Sequence, residues 1–288
     1  MTAAPLLVVN GDDYGLTPGV CEGILRAGED GVLTSTSVLA VAPAFAAGAP
    51  RLRDSGLGVG CHLALVGEDP LLLGAAEVPT LVDRTGRPAA SWRSFLGRAL
   101  RGRVDPDDVR REFGAQIEAC RLAGLELDHL DTHQHLHLWP SVARVVIDLA
   151  VQEGIGALRV PTAASRGPKG RGVRAFAARL HDRVASAGLV GPSEFAGLDG
   201  AGHLGTAGMV AAVERLGALA PDSAELGVHP GTADDPDRAR YRWGYKWPGE
   251  LTALCDPALR SAVGRAGFRL GTFSDLGTGP GAGPADAV

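Results

Sequence analysis

Short apolar runs and helix-patterned stretches take turns from Leu6 to Phe273, and this alternation most restricts what the chain can become. Leu6–Val9, Ser35–Ala42, Gly58–Leu65, His129–His135, Ala157–Pro161, Glu194–Leu198, Ala224–His229 and Phe268–Phe273 read as strands. Most are followed by a segment of helical spacing, such as 18–30 or 107–123. Strand–helix–strand units imply parallel strands whose crossovers cover the sheet. Roughly eight such units fit a single closed or nearly closed (β/α) barrel, which takes roughly 250 residues of the 288 present. No Gly-x-Gly-x-x-Gly follows the first strand and no P-loop occurs, so open nucleotide-binding sheets lose support. The rhythm breaks at 66–90, which is long for a connection and reads as a functional loop. The barrel is expected over 1–276, with the Gly/Pro/Ala-rich 277–288 as a disordered tail.

Catalytic groups of such barrels sit at the C-terminal ends of strands. Four polar clusters fall there: Asp12-Asp13, Gly60-Cys61-His62, Asp131-Thr132-His133-Gln134-His135-Leu136-His137, and His229-Pro230-Gly231. Two adjacent carboxylates repel and are costly to desolvate, and a helix cap would explain only one of them. A bound cation removes the conflict, with one carboxylate as ligand and the other free as a base. One Asp and two His suit Zn²⁺, with Mg²⁺ as the alternative. The chosen set is Asp13, His62 and His133. If 131–137 were extended, Asp131, His133, His135 and His137 would share one face, and the earliest histidine would lie nearest the mouth. His135 is then expected to line the pocket, His137 to drift outward, and Asp131 to orient a ligand histidine from behind.

The bulk numbers close off other classes. A net charge of −5 leaves no basic footprint for nucleic acid. The four cysteines form no CxxC pair, which argues against a disulfide framework. No secretory leader and no apolar run of about 20 residues is present, so a cytoplasmic protein without a membrane span is expected, a homodimer being an open guess.

Taken together, Val9-Asn10-Gly11-Asp12-Asp13-Tyr14-Gly15-Leu16, Thr34-Ser35-Thr36-Ser37, Gly58-Val59-Gly60-Cys61-His62-Leu63, 129–137 and His229-Pro230-Gly231 resemble the YdjC-type carbohydrate deacetylases, which include chitooligosaccharide deacetylase and the hopanoid-biosynthesis-associated HpnK subgroup. The resemblance implies a distorted TIM-like (β/α) barrel, an N-acetylated amino sugar as substrate, and one divalent metal held by an Asp and two His. Carried over by position, the ligands are again Asp13, His62 and His133. Tyr14 and Gln134 depart mildly from the pattern. Asp12 is then the expected base, though it could exchange roles with Asp13, and His229 the expected acid toward the departing amine. Tyr245 and Trp247, in an aromatic-rich loop, are candidate sugar contacts, with His135 and Asp131, and Arg159 and Glu250 are further candidates. Two competing readings are a phosphoesterase-like hydrolase on the same barrel and a sugar-binding protein without catalysis.

Overall fold

The computed structural model describes residues 4–277, so the expected tail falls outside the described residues except for Gly277. Among the described residues the strands are β1 (Leu6–Tyr14), β2 (Ser35–Val38), β3 (Gly58–Leu63), β4 (His129–Thr132), β5 (Ala157–Leu158), β6 (Glu194–Ala196), β7 (Ser223–Val228) and β8 (Arg269–Leu270). All pairings are parallel, in the order β5-β4-β3-β2-β1-β7-β6. The helices are α1 (Pro18–Glu29), α2 (Phe45–Arg53), α3 (Trp92–Ala99), α4 (Pro106–Leu122), α5 (Pro140–Gln152), α6 (Pro168–Ser186), α7 (Thr206–Ala218), α8 (Trp247–Leu254) and α9 (Pro257–Arg265). The architecture is the expected single α/β barrel, and its distortion has two sources. The short β8 pairs with β1 at Leu6 and Leu7, on the edge that β2 takes over from Asn10. Among the described residues β5 and β6 do not pair, and β5 instead bridges to Val190, whose carbonyl accepts from the Leu158 N–H at 2.9 Å.

The burial of β1 follows from parallel crossovers, since a strand covered on both faces is apolar throughout its lower half. Leu7 and Val9 join the large core between sheet and helices, while Leu6 and Val8 meet Ala157 and Phe273 inside the barrel floor. Proline at the first turn of α1, α4 and α9 costs no hydrogen bond there. The caps Thr17, Asp105 and Asp256 each accept a backbone N–H.

Several expected boundaries move. The second strand stops at Val38, the third at Leu63 and the last is only two residues long. Helix α6 begins at Pro168, which suits the first turn of a helix because its missing N–H costs no bond there. The most consequential shift is in the histidine-rich segment, where β4 ends at Thr132 and His133–Leu138 forms a 3-10 turn. Gln134 and His135 take left-handed φ of 55° and 54°, so the alternating geometry expected for 131–137 does not apply. Among the described residues no helix is long and apolar enough to cross a membrane.

Candidate active site

Strand alternation puts Leu6, Val8, Asn10 and Asp12 on the inner face of β1 and would turn Asp13 away. It does not, because the register of β1 against β2 slips between Gly11 and Tyr14 and Asp13 takes φ 71°. Both carboxylates therefore enter the barrel mouth. Asp13 Oδ1 lies 3.6 Å from His62 Nε2 and 3.3 Å from His133 Nδ1. The two imidazoles meet edge to face, 5.4 Å between centroids. The structure thus brings Asp13, His62 and His133 together, with ligand atoms all within 4.8 Å of one another.

Three observations of the chain fit a divalent cation there. Asp13 Oδ1 is buried and has no hydrogen-bond partner, a costly state for a carboxylate. His62 Nδ1 faces both oxygens of Asp131 at 2.9 Å. A carboxylate can only accept from that nitrogen, so Nδ1 carries a proton and Nε2, which faces Asp13, is the nitrogen left for an ion. Charge also runs short of balance. Burial raises the pKa values of Asp12 and Asp131, but Arg159 overrides it and holds both well below the usual carboxylate range; Asp13 is lowered against burial by His133. Glu225 is pushed by burial up to about 7 despite Arg159. Once His62 gives up its proton, as ligation requires, three anions against one guanidinium leave an excess that a dication matches. A second cluster, Asp12, His62 and Asp131, is close enough to share an ion, but Arg159 already occupies its two carboxylates.

Arg159 corrects an expectation. It is fully enclosed rather than facing substrate. It grips Asp12 through two hydrogen bonds, 2.8 and 2.7 Å, donates Nε–H to Glu225 at 2.7 Å, and pairs with Asp131. Asp12 is therefore held by both oxygens from below, with Asn10 Nδ2 adding a bond at 2.8 Å. Asp131, expected at the pocket, is fully buried behind His62 and also accepts from Ser37 at 3.2 Å. His137 is no outward-drifting residue. Its Nε2–H donates to the Arg159 carbonyl at 3.1 Å, so Nδ1 must accept the Thr132 hydroxyl at 2.6 Å. Burial lowers it to about 4, keeping this strut neutral.

His229 follows β7, and its Nε2 is 3.9 Å from Asp12 Oδ2. Glu250 Oε2 accepts the His229 backbone N–H at 2.6 Å, and Oε1 accepts from Leu204. Glu250 is thus buried scaffolding rather than a sugar contact. The Tyr245 ring is 4.8 Å from His229 and 5.3 Å from Trp247. Tyr245 is half-buried, while Trp247 is 4% exposed and opens α8. Trp243 lies 5.3 Å from His133, so the aromatic loop walls the site. It is tied to the 66–90 loop by Asp69–Tyr241, Asp69–Arg240 and Glu68–Trp243 bonds of 2.7, 2.7 and 2.9 Å. His135 lies beside Phe195, and burial holds it well below its ordinary pKa. Sequence reasoning misses Glu225, Ser37 and the role of Arg159. Its one signal is a charged side chain inside an otherwise apolar strand such as β7.

Residues 6–265 match the family model described as YdjC-like protein. The chain belongs to the YdjC-like family. Two relatives span nearly all of it. One from Geobacillus stearothermophilus, named carbohydrate deacetylase, is 33% identical over 270 residues, 93% of this chain and 97% of its own. Another from Enterobacter sp. (strain 638), named chitooligosaccharide deacetylase, is 31% identical over 277 residues, 94% and 99% of the two chains. A crystal structure from Enterococcus faecalis V583, named for cellobiose-phosphate cleavage, has TM-score 0.80 at 24% identity, covering 95% of this YdjC-like chain and 99% of that one. At that identity the likeness concerns the fold.

Proposed function

We propose that this chain is a metal-dependent carbohydrate deacetylase, hydrolysing the N-acetyl amide of an amino sugar to acetate and a free amine. The observation that carries the reading is the unpartnered, buried Asp13 Oδ1 facing the nitrogens of His62 and His133. The names of the two relatives support the substrate class. Asp13, His62 and His133 would hold the ion, and this mix of two imidazoles and one carboxylate favours Zn²⁺ over Mg²⁺, which prefers oxygen ligands. When bound, the cation supplies Lewis-acid polarisation of the amide carbonyl and acidifies water.

The chain's own groups handle the protons. Asp12, kept anionic and fixed by Arg159, accepts the proton of the attacking water. His229 directly follows the neighbouring strand β7 and donates to the departing nitrogen, its backbone anchored by Glu250. Tyr245 and Trp243 offer aromatic faces to the sugar ring, and Trp247 supports Tyr245 from beneath. Asp131 orients His62 and stays out of the chemistry.

The test is acetate release from N-acetylglucosamine and its oligomers by the zinc-loaded chain, with metal content measured on the same sample. Asp13→Ala is expected to lose the metal and acetate release together. A chain that binds zinc at this site yet releases no acetate from any amino sugar overturns the deacetylase reading. An Asp13→Ala protein that keeps both overturns the ligand set.

A further inference from the structure

Beside the candidate site lies a cavity of about 310 Å³ with mostly apolar walls. Trp92 and Leu96 come from α3, Leu138 and Trp139 from the turn after β4, and Val173 and Phe176 from α6. Small-ligand pockets start near this volume, and an acetyl methyl group needs far less. The cavity adjoins the metal site through one short segment. His133 belongs to the ion cluster, and Gln134 and His135, next in the chain, line the cavity. The Gln134 side chain accepts the Trp92 N–H at 2.8 Å, pinning α3 to that turn. The His135 ring packs against Phe195, which in turn lies 5.7 Å from the guanidinium that clamps Asp12. His135 Nδ1 is buried and has no hydrogen-bond partner, a costly state for a polar atom.

Direction around the barrel says which part of a substrate would enter. His229 and Tyr245 follow β7, whereas the cavity is built from segments after β4, β5 and β6 and from α3. An amide with its carbonyl at Asp13, His62 and His133 carries its nitrogen substituent and its acyl group on opposite sides of the carbonyl carbon. The amine side belongs beside His229, which leaves the acyl side toward His135.

We propose that this cavity receives the acyl group, and that the chain hydrolyses N-acyl amino sugars with acyl chains longer than acetyl. This rests on the amide-hydrolase reading above. The C–N bond breaks, the water oxygen becomes the second carboxylate oxygen, and both water protons end on the amine, giving a carboxylate and an ammonium group.

The experiment measures amine release from N-acetyl-, N-butanoyl-, N-hexanoyl- and N-octanoylglucosamine by the zinc-loaded full chain. Burying each methylene is expected to raise kcat/KM by roughly three- to fourfold until the cavity is full. Val173→Trp is expected to move the optimum to shorter acyl chains and Phe176→Ala to longer ones, and misfolding cannot produce opposite shifts. Release from the acetyl compound with a flat or falling series overturns the proposal while leaving the deacetylase reading intact. A gain seen instead with octyl N-acetylglucosaminide, removed by Val173→Trp, puts the chain on the sugar's other end and overturns it too. No release from any compound overturns the amide-hydrolase reading itself.

Discussion

Asp13 reaches the barrel mouth only by giving up regular strand geometry. A left-handed φ of 71° on a non-glycine residue costs on the order of 1–3 kcal/mol, and aspartate is among the side chains that tolerate it best. The neighbouring Gly15, at φ 98°, completes the turn, and a Cβ there would sit 3.1 Å from the Leu39 carbonyl oxygen. His62 is the residue whose proton matters most. Burial works against its charged form, but the Asp131 carboxylate overrides it, and without metal the ring is pushed from 6.5 up to about 9. A pKa raised in this way stabilises the folded chain fully below the unfolded value near 6.5, and that contribution is lost as pH rises through about 9. A cation needs the same nitrogen free of its proton. Zinc affinity is therefore expected to climb by about one log unit per pH unit between roughly 7 and 9, then level off. A chelator-competition titration across that range checks it, and a pH-independent affinity would remove His62 from the ligand set.

At the scale of elements, the site depends on contacts that motif reading passes over. Gly19 and Gly23 lie four residues apart on α1 and so face the same way. The Gly19 carbonyl accepts the Thr232 N–H at 2.9 Å, and a Cβ on Gly23 would stand 2.4 Å from Gly231 Cα. Helix α1 thus bears directly on the turn that carries His229. Gly23→Ala meets backbone, which cannot rotate away, so it is expected to destabilise the chain by about 1–3 kcal/mol. It should lower kcat for acetate release while leaving zinc content unaltered, since Asp13, His62 and His133 lie on β1, β3 and the turn after β4. Thermal unfolding with parallel kinetics and metal analysis tests this. Unchanged melting and full activity would show the turn to be free of α1. The segment after β4 teaches a related lesson. Its histidines read as one extended row because spacing carries no record of where a strand stops. Thr132 ends that row by bonding His137, and the left-handed pair Gln134 and His135 follows.

On the scale of the whole molecule, the barrel interior is layered. An apolar floor of Leu6, Val8, Ala157 and Phe273 lies beneath a polar layer in which Arg159 joins Asp12, Asp131 and Glu225. Four strands meet or end in that layer, so an ion above it couples them to one another. Zinc held at 100 times its dissociation constant adds about 2.7 kcal/mol to folding. At roughly 2–4 °C per kcal/mol for a chain of this size class, Tm should rise by about 5–10 °C and fall back with chelator. Calorimetry with and without zinc measures it, and a Tm indifferent to both would show that the folded chain holds no zinc.

Much of this was determined by the order of residues alone. Apolar runs alternating with helical stretches dictate parallel strands, and parallel strands put Asp12-Asp13, His62, His133 and His229 at one end of a barrel, because side-chain period and crossover direction are local properties of the chain. The tertiary structure decided the rest. It turned Asp13 inward, enclosed Arg159 beneath the carboxylates instead of beside the substrate, and withdrew Asp131 and Glu250 into supporting roles. Those outcomes depend on register, on where a strand ends and on which charges share a buried layer, and these are set by contacts between distant segments, such as Asp12 and Arg159, 147 residues apart.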